Sequence, residues 1–264
     1  MLRVAAIQLN STPDIILNLK KSEDLFRKAA IQGAQLIALP ENFSLMAESR
    51  EAILRSARSP GALDSMRTLA RKYRVWCLAG SIAVPAGRNH VTNSSFLIDP
   101  QGKLRARYDK IHLFDTNVAG DRAYKESETV RAGREVVAPK IGPVRIGMTI
   151  CYDLRFPELY RALSKKGAEL LLIPSAFTAR TGETHWDCLT RARAIENLCY
   201  VIAPAQTGTH YSGRKTWGHT RIIGPWGEVL SEVSQGEGIA LADLDFDKLK
   251  QIRREFPNLK HRRM

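Results

Sequence analysis

Cysteine is scarce in this sequence, and its spacing excludes two kinds of site. The 264 residues contain four cysteines, none in a CxxC pair: Cys77, Cys151, Cys188 and Cys199. Such spacing supplies neither a disulfide framework nor the paired ligands of a structural zinc site. Free thiols are typical of a reducing compartment, so we expect a cytoplasmic protein.

Long apolar segments are also missing. No hydrophobic run reaches the roughly 20 residues that a membrane-spanning helix needs. The N-terminal segment MLRVAAIQLN resembles a strand and is too short for a secretory signal peptide. We therefore expect no membrane partner, and a chain of 264 residues is long enough to bury an extensive core.

Acidic residues are few relative to basic ones. The 27 Asp and Glu residues stand against 40 Lys and Arg residues, which gives a formal charge of +13. Seven basic residues crowd the C-terminal end: Lys248, Lys250, Arg253, Arg254, Lys260, Arg262 and Arg263. This excess is compatible with nucleic-acid binding, attraction of anionic substrates or a basic surface. Because no nucleic-acid-binding motif accompanies the charge, we predict no nucleic-acid partner and keep a basic binding module as the alternative of another class.

Strand-like runs alternate with helical patterns along the whole chain. Helices are predicted from Asp14 to Gly33, over 62–73, 156–166 and 185–197, and from 246 onward. Two hairpins are predicted, with turns at 99–102 and 224–227, whereas 112–135 has no clear pattern. Hairpins within a strand–helix alternation predict one α/β domain over 1–264 with mixed rather than purely parallel sheets.

Three reactive side chains follow predicted strands. Glu41 follows LIALP, Lys110 ends the second strand of the first hairpin, and Cys151 follows MTI. Chemistry in open α/β folds gathers where strands end. Taken singly, the glutamate and the lysine are typical of solvated loops, and the cysteine is typical of a core. Together they supply a base, a cation and a nucleophile, which are the components of acyl-transfer chemistry.

The segments that carry these residues resemble a known family. LPENF, YDKIHLFD and ICYDLRFPEL are similar to the three signature blocks of the nitrilase superfamily, the carbon–nitrogen hydrolases. The similarity implies an α-β-β-α sandwich and places the family's glutamate, lysine and cysteine on Glu41, Lys110 and Cys151. A further glutamate of the family falls on Glu126, in YKESETVRAG. The resemblance also implies a homodimer or a higher homo-oligomer.

The resemblance implies a cysteine amidase with no cofactor and a small-molecule amide substrate. CYDLRFPEL is similar to the Nit-type amidases, whose two main branches are ω-amidase and deaminated-glutathione amidase. CYDLRFPEL, IPSAF and FPNLKHRR favour the second branch. We therefore expect hydrolysis of the terminal amide of a small acidic amide through a thioester, with release of ammonia. The alternative is an ω-amidase that acts on α-ketoglutaramate or α-ketosuccinamate.

Substrate contacts are predicted in the segments around the nucleophile. Tyr152, Arg155, Phe177 and Thr178 lie in or beside the family's pocket-forming segments, and Arg155 is suited to a substrate carboxylate. We expect Lys110 and the N–H of Tyr152 to stabilise the oxyanion.

Two further expectations concern metal binding and the state of the nucleophile. His185 and Cys188 have a spacing of three that two metal ligands could use, but no second pair accompanies them. We predict no metal site. A helix beginning after Cys151 would favour a thiolate, so we expect Cys151 to be both accessible and partly ionised near neutral pH.

Overall fold

A computed structural model describes residues 1–59, 61–211 and 213–263. The strands are β1 Leu2–Gln8, β2 Leu36–Ala38, β3 Trp76–Pro85, β4 Val91–Ile98, β5 Leu104–Asp109, β6 Asp115–Thr116, β7 Tyr124–Lys125, β8 Lys140–Ile141, β9 Val144–Met148, β10 Leu170–Leu172, β11 Tyr200–Ala203, β12 Thr207–Thr209, β13 Lys215–Trp217, β14 Thr220–Ile223, β15 Val229–Val233 and β16 Gly238–Leu244. The helices are α1 Ile15–Ile31, α2 Arg50–Ser56, α3 Gly61–Tyr73, α4 Pro157–Lys165, α5 Ala179–Asn197 and α6 Phe246–Glu255. Short 3₁₀ turns cover Glu126–Glu128, Cys151–Arg155 and Asn258–Lys260.

The described residues form two six-stranded mixed sheets. The first has the order β16-β1-β2-β3-β4-β5, and the second has the order β15-β14-β11-β10-β9-β8. The centre of each sheet is parallel, through β1, β2 and β3 in one and β9, β10 and β11 in the other. Antiparallel strands flank each parallel centre, among them the two predicted hairpins, β4–β5 and β14–β15. The prediction of mixed sheets is therefore confirmed.

Strand alternation builds the layers. Successive side chains of a strand point to opposite faces. Val4 and Ala6 of β1 belong to the core that includes residues of the second sheet, whereas Ala5 and Ile7 pack in a separate core with Phe26 of α1. Helices α1 and α3 cover the first sheet, α4 and α5 cover the second, and β1 and β16 pack against β14. This order of layers is the predicted α-β-β-α sandwich.

Helix α5 is longer than its sequence pattern predicts. It begins at Ala179 instead of 185, and the Thr178 hydroxyl accepts a hydrogen bond from the Thr181 N–H at 3.4 Å. Glycine disfavours helices in general. Here a Cβ on Gly182 would lie 2.2 Å from the Cβ of Trp217, so the glycine allows α5 to approach β13 closely. Tertiary packing overrides the local preference.

Helix α2 and the short strands β6, β7, β8, β12 and β13 were not predicted. Helix α2 is capped by the Ser49 hydroxyl, which accepts from the Ala52 N–H at 3.2 Å, and none of its residues is fully buried. A helix without a buried face leaves little periodicity to detect. Within 112–135, the strands β6 and β7 pair and lead into the 3₁₀ turn at Glu126–Glu128.

The C-terminal basic cluster is partly structural. Arg253 of α6 donates to the carbonyls of Leu198 and Ala168 at 2.9 and 2.8 Å, and Lys250 pairs with Asp247 at 2.9 Å. The charge of this segment therefore has uses within the fold. No helix in the described part of the chain is both long and apolar enough to cross a membrane. That residues 1–264 form one domain stays a prediction, which a single cooperative unfolding transition would support.

Gly80 of β3 is the position in the first sheet that we expect to tolerate least change. A Cβ there would lie 2.0 Å from the carbonyl oxygen of Pro40, directly before Glu41. Backbone cannot yield as a flexible side chain does, so Gly80→Ala should destabilise the fold by about 1–3 kcal/mol. Urea unfolding monitored by circular dichroism measures the change. Gly61→Ala is the matched control, because a Cβ at that helical position comes no closer than 3.6 Å to Ser59; equal stability of the two variants would contradict the prediction.

Candidate active site

Glu41 begins a turn shortly after the end of β2. Its side chain is buried, and its carbonyl oxygen accepts a hydrogen bond from the Gln206 side chain at 3.0 Å. The next residue, Asn42, has a φ of +56°, a left-handed conformation that asparagine tolerates better than most residues. The chain turns away from the direction of β2 here, and the Glu41 carboxylate is buried inside the molecule.

Lys110 follows β5 and is almost completely buried, at 2% exposure. Its N–H donates to the carbonyl of Asn93 in the neighbouring strand at 2.9 Å. Its Nζ lies 3.0 Å from Oε1 of Glu41 and 2.8 Å from Oε2 of Glu126. The solvated lysine expected from this position in isolation is therefore absent, and the ammonium sits between two carboxylates.

Glu126 completes this ion cluster from the 3₁₀ turn after β7. Its Oε2 accepts from the backbone N–H of Phe114 at 2.7 Å as well as from Lys110. Asn93, which sequence reasoning did not identify, donates its amide to Oε1 of Glu41 at 2.9 Å and to Oε1 of Glu126 at 3.3 Å. The ammonium and the amide together hold the two glutamates at a fixed separation.

Cys151 follows β9 and occupies a strained position. Its N–H donates to the carbonyl of Pro174 at 2.9 Å, and its φ of +49° is rare for a residue with a Cβ. Residues held in this region cost of order 1–3 kcal/mol and concentrate at functional sites. The turn at Cys151–Arg155 brings the sulfur into hydrogen-bond contact with Glu41.

The expectation of a partly ionised Cys151 is wrong. Burial raises the pKa of the thiol well above its usual value, and the Glu41 carboxylate raises it further, against the opposing effect of Lys110. The regular helix α4 begins only at Pro157, so it does not start directly after Cys151 as the expectation required. Cys151 is also buried, at 7% exposure. The resting nucleophile is a neutral thiol that donates to Glu41.

Glu41 and Lys110 are charged in this arrangement. Burial raises the pKa of Glu41, but the Lys110 ammonium, the hydrogen bond from Cys151 and the charge of Arg214 outweigh it, so the pKa lies below its usual value. Burial lowers the pKa of Lys110, whereas Glu126 and Glu41 raise it to a net value well above normal. An ionised carboxylate beside a neutral thiol is the arrangement of a general base and its nucleophile.

A buried aspartate links the lysine segment to the cysteine segment. Asp153 accepts from the hydroxyl of Tyr108 at 2.6 Å, from the N–H of His112 at 3.0 Å and from the N–H of Ile150 at 2.9 Å. Its neighbours therefore flank both Lys110 and Cys151. Sequence reasoning missed this role, although His112 and Asp153 stand inside two of the three recognised blocks.

The four predicted substrate contacts line one cavity of about 260 Å³ together with the ion cluster: Tyr152, Arg155, Phe177 and Thr178. The guanidinium of Arg155 lies 5.0 Å from the ring centroid of Phe177 and 5.6 Å from that of Tyr152. Its Nη1 lies 3.0 Å from Nδ1 of His185. His185, which was considered above as a metal ligand, therefore has its ring nitrogen against the positively charged guanidinium of Arg155.

Arg214 is a further member of the cavity wall that sequence reasoning did not identify. It precedes β13, in a segment without any catalytic pattern of its own. Its Nη2 donates to the carbonyl of Ala176 at 2.6 Å. The only available signal was its charge, which one basic residue among 40 does not make specific.

The burial of the cysteines predicts their order of reactivity. Cys188 is exposed, whereas burial raises the pKa of Cys77 and Cys151, and that of Cys199 to about 12. Because the thiolate is the reactive form, methyl methanethiosulfonate at pH 7 should modify Cys188 first and leave activity intact. Peptide mapping against residual activity measures this order. Cys188→Ser is the control that should lack the fast phase; faster labelling of Cys151 in the wild-type protein would refute the assigned protonation state.

Several known proteins are similar to this chain in both sequence and architecture. The carbon–nitrogen hydrolase family matches residues 3–254. A deaminated glutathione amidase of Synechocystis is 45% identical over 98% of this chain and 97% of its own length. The Nit3 protein of Saccharomyces cerevisiae, a nitrilase-superfamily member, superposes with a TM-score of 0.89 at 30% identity over 100% of this chain and 97% of that one.

A third similar protein carries a modified cysteine. It is a variant of the amidase from Nesterenkonia sp. AN1, with acrylamide added at its active-site cysteine. Its structure has a TM-score of 0.82 at 27% identity and covers 97% of this chain and 98% of that one. On these matches, this chain belongs to the carbon–nitrogen hydrolase family and is a hydrolase that acts on amides.

Proposed function

We propose that the protein hydrolyses a small acidic amide through a thioester on Cys151, with Glu41, Lys110 and Glu126 as the other catalytic residues. The observation that carries this proposal is the position of Lys110, whose Nζ lies 3.0 Å from Glu41 and 2.8 Å from Glu126. The thiol of Cys151 hydrogen-bonds the same Glu41. A base, a cation and a nucleophile thus meet at the wall of one cavity.

Acylation begins with proton transfer from Cys151 to Glu41. The sulfur attacks the amide carbonyl as the proton leaves, so a free thiolate never accumulates in the buried site. Negative charge develops on the carbonyl oxygen. Lys110 and the N–H of Tyr152 are assigned to receive it, and one such donor typically contributes about 10²–10³ in rate.

Glu41 completes acylation and then catalyses deacylation. The glutamic acid gives its proton to the leaving nitrogen as the C–N bond breaks, which leaves the acyl group on sulfur. The carboxylate then removes a proton from water, whose oxygen attacks the thioester. The sulfur leaves and recovers a proton from Glu41, so the carboxylic acid product forms and the enzyme returns to its initial state.

Glu126 contributes to catalysis by holding Lys110 in place, and Asn93 supports the same arrangement. Glu126 holds the Lys110 ammonium with two contacts, at 2.8 and 3.1 Å, and takes an N–H from Phe114. Asn93 bridges both carboxylates. Tyr152, Arg155, Phe177 and Thr178 form the substrate surface, in which the guanidinium of Arg155 suits a carboxylate.

Deaminated glutathione is the proposed substrate. The Synechocystis relative carries that activity in its name, as does a human relative that is 39% identical over 98% of this chain. The scissile bond of this compound joins the distal carbonyl of an α-ketoglutarate unit, the one remote from the keto group, to the nitrogen of cysteinylglycine. Hydrolysis there releases cysteinylglycine, whereas ammonia, expected above, is the product from a primary amide. An ω-amidase acting on α-ketoglutaramate is the other candidate, and the same ion cluster would serve it.

Steady-state kinetics on the purified protein test the substrate. We expect kcat/KM for deaminated glutathione to exceed that for α-ketoglutaramate by about 100-fold, because tail binding of about 3 kcal/mol corresponds to that factor. Both substrates yield α-ketoglutarate, so one coupled assay measures both. Nitriles should not react. Cys151→Ala purified in parallel controls for contaminating amidases, and an equal or reversed preference would assign the chain to the ω-amidase branch.

We further propose a cytoplasmic homo-oligomer without a nucleic-acid partner. The support is the resemblance to the superfamily and the partly structural use of the C-terminal basic segment. Light scattering after size exclusion measures the oligomeric state. Nucleic-acid binding that survives physiological salt and depends on sequence would reinstate the alternative class.

A further inference from the structure

The cavity wall contains an arginine whose hydrogen bonds are incomplete. Arg214 donates from Nη2 to the carbonyl of Ala176 at 2.6 Å, while its Nη1 meets only the thioether of Met46 at 3.9 Å. Its Nε is buried and has no hydrogen-bond partner among the described residues. The guanidinium also lies 5.3 Å from the ring centroid of Tyr124. An arginine fork has five donors, so this group retains capacity for an anion.

The cavity holds more positive than negative charge. Its two acidic residues, the buried Glu41 and the partly buried Glu126, already share Lys110. Among residues 1–59, 61–211 and 213–263, no carboxylate pairs with Arg214 or with Arg155. Two arginines of one cavity therefore lack a carboxylate partner in the described part of the chain. A ligand with two carboxylates would supply both.

The two arginines serve different ends of the substrate. Glu41 must protonate the leaving nitrogen, so the leaving amine lies on its side of the sulfur. Arg214 acts electrostatically on Glu41. Arg155 instead lies against Tyr152, the residue after the nucleophile, and against Phe177. This division assigns the acyl group to Arg155 and the leaving amine to Arg214.

We propose that Arg214 binds a carboxylate on the leaving amine and thereby selects amides of carboxylated amines over primary amides. The inference rests on the proposed function and adds the residue that would separate its two candidate substrates. Cysteinylglycine carries such a carboxylate, whereas the ammonia released from α-ketoglutaramate does not. Arg214 is then a specificity residue that the catalytic motifs do not include.

A purely positional role for Arg214 makes a different prediction. Arg214 holds the carbonyl of Ala176, and the N–H of the same residue hydrogen-bonds the sulfur of Cys151. If Arg214 acted only in this way, its loss would slow all amides equally. The decisive quantity is therefore the ratio of two substrates on each enzyme, and not the activity of any one variant.

The experiment pairs an enzyme change with a substrate change. Wild type, Arg214→Gln and Lys215→Gln are assayed for α-ketoglutarate release from deaminated glutathione and from its glycinamide analogue, which lacks the tail carboxylate. Lys215 is exposed and outside the cavity, so its variant removes the same charge from the neighbouring position. Wild type and Lys215→Gln should prefer the free carboxylate by at least about 30-fold.

In Arg214→Gln that preference should fall to about threefold or less, because the amide side chain carries no charge to pair with the carboxylate. Arg214→Lys should retain part of the preference for the free carboxylate, because it keeps a positive charge. If the glutamine variant does not fold, the preference measured for the lysine variant tests the inference instead. A preference that survives in Arg214→Gln would overturn the inference alone. Failure of the wild-type protein to hydrolyse deaminated glutathione would instead overturn the proposed function, and the inference with it.

Discussion

Replacing Cys151 by alanine is expected to reduce the hydrolysis of every amide by at least about 10⁴-fold. The variant retains the cavity but has no atom that can form the thioester, and losses of this order follow removal of a covalent nucleophile. Cys151→Ser should be almost as inactive, because Glu41 is too weak a base for a hydroxyl. Product release by a sensitive coupled assay measures both variants.

The control for this experiment is a change at another thiol. Cys188→Ala removes an exposed sulfur outside the cavity and should retain wild-type turnover. Circular dichroism and the unfolding midpoint establish that Cys151→Ala is folded, as expected for the loss of one small side chain. More than a few per cent of wild-type activity in that folded variant would eliminate Cys151 as the nucleophile.

Lys110→Met is expected to damage both catalysis and stability. Methionine fills a similar volume but leaves Glu41 without its cation and the oxyanion without a donor, which alone typically lowers the rate by about 10²–10³-fold. Removal of one member of a buried ion cluster destabilises by about 3–5 kcal/mol, since the remaining charge is uncompensated. Steady-state kinetics and urea unfolding measure the two effects. Lys103→Met, on the exposed end of the same hairpin, should change stability by less than about 0.5 kcal/mol.

The stability loss in Lys110→Met should depend on pH. In the wild-type fold the pKa of Lys110 is raised, so its contribution is complete below the ordinary lysine value of 10.5 and is lost at higher pH. The pKa of Glu41 is lowered, so its contribution is present above 4.5 and is lost as the pH falls further. The difference between variant and wild type should thus be largest between those values and shrink in acid. A difference that stays constant into acid would show that packing, and not charge, dominates.

Most of the fold prediction rested on local sequence patterns. The continuous apolar run of β1 indicates a strand buried on both faces, and the turns at 99–102 and 224–227 indicate the hairpins β4–β5 and β14–β15. These features depend on neighbours in sequence. The start of α5 was misplaced because Gly182 is chosen by its contact with Trp217 and not by helix propensity.

The sequence by itself determined where the reactive side chains stand. Lys110 directly follows β5, Glu41 and Cys151 lie shortly after the ends of β2 and β9, and the surrounding blocks are similar to those of the carbon–nitrogen hydrolases. Strand ends are readable because hydrophobic periodicity stops there. The residue types alone indicate acyl transfer, because together they supply a base, a cation and a thiol nucleophile. The amide substrate followed from the resemblance of the surrounding blocks to that family.

Only the tertiary structure decided the protonation states and the partners of those side chains. Lys110 is an ion-cluster member because Glu41, 69 positions away, shares its burial. The neutral state of Cys151 reflects desolvation and the adjacent carboxylate, neither of which is a property of its own segment. Asn93, Asp153 and Arg214 likewise acquire their roles from distant partners. The pKa of a group and the saturation of its hydrogen bonds are set by everything packed around it, and sequence neighbours are a small part of that environment.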